Sequence, residues 1–302
     1  MNLASNDMAT VFRKALGALP RLGVQVLDLG PGAAVISRRG RYSATKVSAD
    51  TWLVGGVRRG ARAPAEGWGL RKAAASALCA RHVAEFLVNY EVNCVIDVGA
   101  NRGQYGRQLR ESGYRGRIVS FEPVPDPLAG LRKAAERDPD WWVRPCALGR
   151  SASVQSMHLG WKTMNSLLKP SAYGQRRYRR FADTRTAQVQ VERLDEVMDE
   201  ALEGLADPRP FLKMDTQGFD MEVFAGAGER LGEYVGMQSE VAALQLYEGS
   251  PHMTEAIAAY EEAGFGITGL YPVTREEGTG RVVEFDCVLA RASSAPGSSA
   301  RP

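Results

Sequence analysis

"VIDVGANRGQYG", residues 95–106, decides how the rest of the chain is read. Val95 and Ile96 lead to an aspartate, Asp97, and a glycine turn follows at once: Gly99, Ala100, Asn101, Arg102, Gly103. The stretch "YGRQLRESG" then reads as a helix closed by Gly113. A buried strand, a tight turn and a helix are how open α/β sheets hold a ligand beyond the carboxyl ends of their strands. Glycine lets the backbone turn sharply and approach that ligand. The helix start offers N–H groups and the positive end of its dipole.

The spacing excludes the usual dinucleotide fingerprint, which needs G-x-G-x-x-G; here Gly99 and Gly103 are four apart with Asn101 between them. An acid two residues before the first glycine suits a ligand with a cation near the turn, such as the amino group of an amino acid. In "RIVSFEP" (117–123) a second strand ends on Glu122. An acid at that place accepts both hydroxyls of a ribose. Amino acid, sulfonium and nucleoside together describe S-adenosylmethionine; the structural alternative is a βα turn with incidental acids. A second D-x-G-x-G, in "VLDLGPGAA" (26–34), is followed by the strand-like "AAVISRR", so it reads as a β-turn.

Working outward, "RHVAEFLVNY" has Val83, Phe86, Leu87 and Tyr90 on one helical face. "CVIDVGA", "RIVSFEP", "WWVRPCALG", "RPFLKMD" and "YVGMQSEV" read as five buried strands. Helices are expected in "PLAGLRKAAERD", "DMEVFAGAGERLG" and "HMTEAIAAYEEAG". The strands "FGITGLYPVT" and "RVVEFDCVLAR" are joined only by "REEGTG", so the last should run antiparallel at or near an edge. The expected fold class is α/β: a doubly wound, mostly parallel seven-stranded sheet. Residues 1–80 read as a small β-containing extension with the runs "VQVLDLG", "AAVISRR", "YSATKVSA" and "TWLVGGV". It could serve as a lid, a dimer contact or a substrate wall. Residues 81–291 form the main domain, and "ASSAPGSSARP" (292–302) is expected to be a disordered tail.

Residues 1–90 hold thirteen Lys/Arg against five Asp/Glu, a basic face that is either solvated or meets an acidic partner. The four cysteines show no CxxC or zinc spacing. No apolar run reaches membrane-spanning length and no signal peptide is evident, so the expectation is a soluble cytoplasmic protein without a membrane partner.

At this point the sequence resembles the FkbM family of S-adenosylmethionine-dependent O-methyltransferases. The resemblance rests on "VIDVGANRGQYG", "IVSFEPVPD", "CALG", "MNSLL", "VERLDEV", "FLKMDTQGFDMEVFAGAG", "SEVAALQLYEGSP" and "GRVVEFDCVLAR", in order over roughly residues 83–291. It implies the class I methyltransferase (Rossmann-like) sheet, S-adenosylmethionine as cofactor, and an acceptor hydroxyl on a sugar, glycoside, glycolipid or polyketide-type secondary metabolite. It makes Asp97, Gly99, Ala100, Asn101, Gly103 and Tyr105 the cofactor turn, Glu122 the ribose ligand, and Cys146 and Ala147 the border of the adenine. The family often has Glu where this chain has Gln217, so Gln217 is assigned no proton transfer.

Methyl transfer to a hydroxyl is an in-line displacement in which alignment supplies much of the acceleration. A weak nucleophile also asks for a base or a metal. Asp215 closes the fourth strand beside the first, and Glu240 closes the fifth; either can act as base, or both can hold a divalent ion such as magnesium. The alternative for Asp215 is a helix cap, a task for which Asp220 is better placed. His252, at a helix start, is either a further candidate base or a simple first-turn residue. His158, in a loop, and Asn165, Ser166 and Tyr178 are candidate substrate contacts. His82 reads as structural. The run "QRRYRRF" (175–181) either clamps an anionic or glycosidic substrate or is a solvated loop; one short basic run is too little for a nucleic-acid face. Two other readings stay open: a methyltransferase-like binding or assembly protein docking, or forming a homo-oligomer, through residues 1–80, and a nicotinamide dehydrogenase, against which the missing fingerprint argues.

Overall fold

The computed structural model describes residues 24–30, 33–38, 42–46, 52–56, 68–160, 163–183, 185–276 and 278–294. The start of the chain, the Arg/Gly/Pro-rich residues 58–67 and residues 295–302 of the expected tail lie outside these. Residues 292–294 form a 3-10 turn, and the Ser294 carbonyl accepts from Arg209 at 3.0 Å.

The chain divides into two compact units, residues 1–74 and 75–302. In the first, β1 (Val24–Gly30) and β2 (Ala33–Arg38) form one antiparallel hairpin, and β3 (Tyr42–Lys46) and β4 (Trp52–Gly56) another. Asp28 and Gly30 of the second D-x-G-x-G therefore lie in β1, and the element that follows is the strand β2.

The second unit begins within α1 (Trp68–Asn89), a helix that starts well before the run "RHVAEFLVNY" that announces it in sequence. Then come β5 (Cys94–Val98), α2 (Gln104–Glu111), β6 (Arg117–Phe121), α3 (Pro125–Ala135) and β7 (Trp141–Arg144). A short side sheet follows, made of β8 (Ala147–Gly149), β9 (Ser153–Leu159) and, after α4 (Ala172–Arg177), β10 (Arg185–Arg193). The chain returns through α5 (Leu194–Leu202), β11 (Pro210–Met214), α6 (Asp220–Gly226), β12 (Gly236–Ala242), α7 (Met253–Glu262), β13 (Phe265–Arg275) and β14 (Val282–Arg291).

The main sheet has the order β13-β14-β12-β11-β5-β6-β7. Strands β7, β6, β5, β11 and β12 pair in parallel, and β14 runs antiparallel to both of its neighbours, second from the edge. This is the seven-stranded arrangement with an antiparallel last strand that the sequence predicts. One core layer packs Val95, Ile118, Phe211 and Val288 under α1, α2 and α3; the other packs Ile96, Leu212 and Met237 under α5, α6 and α7.

Two expectations are corrected here. "WWVRPCALG" is two strands in two sheets. Pro145 lacks the N–H a continuing ladder needs, so β7 stops before it and β8 joins β10 instead. His158 lies in no loop: it is on β9, paired with Thr186 of β10. Among the described residues no helix is long and apolar enough to cross a membrane.

Candidate functional site

The turn after β5 forms because its glycines can take left-handed backbone: φ is 78° at Gly99 and 76° at Gly103, with Asn101 at 48°. A Cβ on Gly99 would lie 2.1 Å from the Asp215 carbonyl oxygen, so two strand ends meet there with no room for a side chain. The turn amides are spent inside the protein. Gly99 and Ala100 N–H donate to the Phe121 carbonyl (3.1 and 3.0 Å), and Gly103 N–H donates to Ala100 (2.9 Å). Asn101 N–H donates to Glu122 Oε2 (2.9 Å), and Arg102 N–H to the Asn101 side chain (2.9 Å). Five consecutive amides are taken, so the turn presents no free cluster of N–H groups to a diphosphate.

Glu122 directly follows β6 and is almost fully buried, and Val124 N–H donates to its second oxygen at 2.9 Å. Burial pushes its pKa up to about 7, against the pull of those two amides. Its oxygens are thus held in fixed positions at the wall of a cavity of about 380 Å³. That volume is in the range of ligand pockets, roughly 300–1,000 Å³. Gly99, Ala100, Asn101, Tyr105, Glu122 and Ala147 all line it, as do Asn165, Asp215 and Glu240.

The remaining sequence candidates are placed elsewhere. Asp97 is fully buried behind the turn, where Ser120 donates to it at 3.0 Å and Lys213 Nζ approaches to 3.3 Å as an ion pair rather than an aligned hydrogen bond. The cation that answers Asp97 therefore belongs to the chain. Gly103 caps the start of α2, and Cys146 is buried next to Ala147 without lining the cavity. Ser166 is buried and donates to the Gln217 carbonyl at 2.7 Å. Tyr178 follows α4 and packs on Phe181, away from the cavity lining, and Arg177 donates to the Arg275 carbonyl at 2.7 Å.

His252 is placed away from the cavity lining. It is the N-cap of α7: its Nδ1 accepts from Thr254 N–H at 3.3 Å, while Glu255 accepts from the His252 N–H at 2.9 Å. Nδ1 is occupied by the helix it starts, and the residue does not line the cavity. Asp220 does not cap its own helix either. Its carboxylate accepts from Thr216 N–H (2.8 Å), Ser239 Oγ (2.8 Å) and Glu240 N–H (3.1 Å), tying the end of β11 to β12.

The structure adds residues that sequence reading missed. Ser120, Asp97, Lys213 and Gln238 stand in register across β6, β5, β11 and β12, a polar row through the middle of the sheet. Trp141 Nε1 donates into it at Ser120 (3.0 Å). Gln238 accepts from Tyr105 (3.1 Å) and donates to Asp286 of β14 (3.0 Å). Burial alone would lower the Lys213 pKa, but Asp97 and Asp215 outweigh it and keep the ammonium charged. Asp215 Oδ2 is 3.6 Å from Lys213 Nζ, and its side chain is 43% exposed where Lys213 is 7%. The other acids are desolvated. Burial, then Glu284 and Asp215, push Glu240 well above the carboxylate range; burial raises Glu284 to about 7 and Asp286 to about 6. A lysine in the otherwise apolar "PFLKM" and an aspartate in "EFDC" were the signals available in sequence.

A divalent ion does not suit this donor set. Between Asp215 and Glu240 stands the Gln217 amide, whose Nε2 donates to both, at 3.0 Å each. Magnesium asks for oxygen ligands around it. Here an N–H donor fills the gap between the two carboxyl groups. Among the described residues no group of three or more His, Cys, Asp or Glu could hold a metal.

Residues 97–267 match the family model for the methyltransferase FkbM domain, more than half of the chain. The chain belongs to the FkbM methyltransferase family. Its fold is the class I methyltransferase fold, and its activity class is methyl transfer. No curated protein sequence matches significantly. Solved structures similar to this FkbM chain include Aeropyrum pernix fibrillarin with natively bound S-adenosyl-L-methionine, at 12% identity, 88% of this chain and 94% of that one, TM-score 0.40. Magnesium protoporphyrin IX methyltransferase from Synechocystis PCC 6803 is similar at 10% identity, covering 77% and 87%, TM-score 0.41. A Streptococcus thermophilus rRNA methylase is similar at 10%, covering 71% and 94%, TM-score 0.38.

Proposed function

We propose that this FkbM methyltransferase binds S-adenosylmethionine and methylates a hydroxyl of a small molecule, a sugar, glycoside or polyketide-type metabolite. One observation carries the reading: the ribose-type acid Glu122, the glycine turn and the partly exposed carboxylate Asp215 open onto a single cavity. The turn amides from Gly99 to Gly103 are all engaged, which disfavours a dinucleotide and its diphosphate. A sulfonium nucleoside needs no anion cradle there.

Bound in the cavity, the cofactor supplies an electrophilic methyl group on sulfur. Glu122 accepts the ribose hydroxyls, and Ala147 and Leu148 border the base. Asp215, beside the ammonium of Lys213, takes the proton as the acceptor oxygen forms its bond to carbon and the carbon–sulfur bond breaks. Ser76, Gln104, Gln108 and Ser112 line the same cavity with uncharged hydrogen-bonding groups, beside apolar Ala80 and Val83. Such a wall suits a polyhydroxyl carried on an apolar body, and an acceptor of this kind is the proposed partner.

Titration calorimetry with S-adenosylmethionine, followed by transfer of a labelled methyl group to a panel of glycosides, tests the proposal. Micromolar binding and label on a hydroxyl are expected. Absent binding overturns the cofactor half; label found only on amines or RNA overturns the acceptor half.

A further inference from the structure

The turn after β11 holds its side chains with unusual completeness. Gln217 sits at φ 56°, a left-handed conformation that costs a non-glycine residue about 1 kcal/mol or more unless its contacts over-determine it. Those contacts are present at every polar atom of its amide. Nε2 donates to Asp215 Oδ1 and to Glu240 Oε2, both at 3.0 Å. Oε1 accepts from the Tyr247 hydroxyl at 3.0 Å, and the backbone carbonyl accepts from Ser166. Tyr247 is itself fixed: it bridges to Pro170, and Ser250 Oγ donates to its carbonyl at 2.9 Å. Turning the amide over would set its oxygen against two carboxyl groups, so charge dictates the orientation.

Asp215 is thereby gripped at both oxygens, Oδ1 by Gln217 and Oδ2 by Lys213. We propose that Gln217 is a positioning residue for methyl transfer: its carboxamide occupies the gap between Asp215 and Glu240 that a divalent cation would otherwise fill, and aims Asp215 at the position of the transferred methyl. Tyr247 acts through it. The inference rests on the cofactor reading given under Proposed function. It makes catalysis independent of a metal by construction of the turn, because the bridge is an N–H donor rather than an oxygen ligand. It also gives the chain's glutamine, where a glutamate would bring a third acid between Asp215 and Glu240, a task of its own.

A cofactor analogue with an ammonium group where the methyl sits reads the aim of Asp215 without any acceptor. The comparison is its affinity against that of the demethylated product, S-adenosylhomocysteine, by calorimetry. In the wild type the ammonium analogue should bind at least about tenfold tighter, the worth of one charge-assisted hydrogen bond. Gln217→Met keeps the length and removes the donors; the ratio should fall below about threefold while product affinity holds. Tyr247→Phe should give an intermediate ratio, and keeps the test alive if Gln217→Met does not fold. An unchanged ratio in both variants overturns the proposal. So does a rise in wild-type melting temperature with millimolar magnesium that Glu240→Gln abolishes. Failure of any form to bind the product would instead sink the cofactor reading, and this proposal with it.

Discussion

The wall of the cavity at the ends of β5 and β6 is made of backbone; the wall at the ends of β11, β12 and β14 is made of charged side chains. On the first, five consecutive amides bond within the turn or to β6, and one acid, Glu122, hangs from two of the chain's own N–H groups. On the second, Lys213, Asp215, Gln217 and Glu240 hold one another at the ends of β11 and β12, and Gln238 donates to Asp286 of β14. On the proposed reading, the backbone wall recognises the cofactor and the side-chain wall carries the chemistry. Besides the Lys213–Asp97 ion pair and the Tyr105–Gln238 hydrogen bond, they meet where Gly99 packs on the Asp215 carbonyl and Asp215 N–H donates to Val98 at 3.1 Å. The division suggests that binding and chemistry can be damaged separately, except at that contact.

The largest effect should come from the side-chain wall. Asp215→Asn keeps the shape and the Gln217 contact but loses the proposed base, so kcat should fall roughly 10²–10⁴-fold with cofactor affinity nearly unchanged. Steady-state kinetics and calorimetry on the same preparation check this, and a parallel loss of binding would erase the distinction between the walls. Gly99→Ala strikes the contact itself. Overpacking and a left-handed alanine together should cost about 3 kcal/mol, and thermal unfolding should show it along with loss of both binding and turnover. Glu122→Ala strikes the backbone wall alone: cofactor affinity should drop about 10–100-fold, the worth of one or two hydrogen bonds to a charged group, with kcat at saturation little altered.

The pH dependence is smaller and follows from direction. If Glu122 is the ribose ligand proposed above, the hydroxyls donate best to its ionised form; burial pushes its pKa up to about 7, so cofactor affinity should improve as pH rises from 6 to 8. Stability should move the other way. Glu122, Glu284 and Asp286 have folded-state pKa values raised to about 7, about 7 and about 6 by burial, so the native state holds protons that the unfolded chain releases. The stability linked to that proton binding is fully present below pH 4 and is lost as pH rises through 6 and 7. Melting temperatures across this range should fall, and Glu284→Gln should flatten the slope. Smallest of all is His252→Ala. It removes one helix cap, about 1 kcal/mol, and should leave kcat where it was; a large loss of turnover would return His252 to the chemistry.

The alternation of strand and helix was legible because each buried strand is a short apolar run closed by a turn residue. Where that punctuation was hidden, reading failed: Pro145 divides two strands, and β9 and β10 escaped although "TAQVQVE" alternates as a half-buried strand does. Glu122 and Asp215 were legible as acids at strand ends. His252 stood as a candidate base because a ring at a helix start looks the same in sequence whether it faces a cavity or caps its own helix. Lys213 was passed over because burial of an ammonium makes sense only once Asp97 and Asp215 are beside it.

By itself, then, the order of residues determined what short-range chemistry determines: where the backbone must turn, which runs are buried, and that a glycine-built pocket follows the first core strand. Only the folded chain decided which acid meets which base. Ser120, Asp97, Lys213 and Gln238 are scattered over more than a hundred positions and become neighbours through strand register alone. Protonation depends on such neighbours and on burial, and neither is a property of a residue until the sheet has formed.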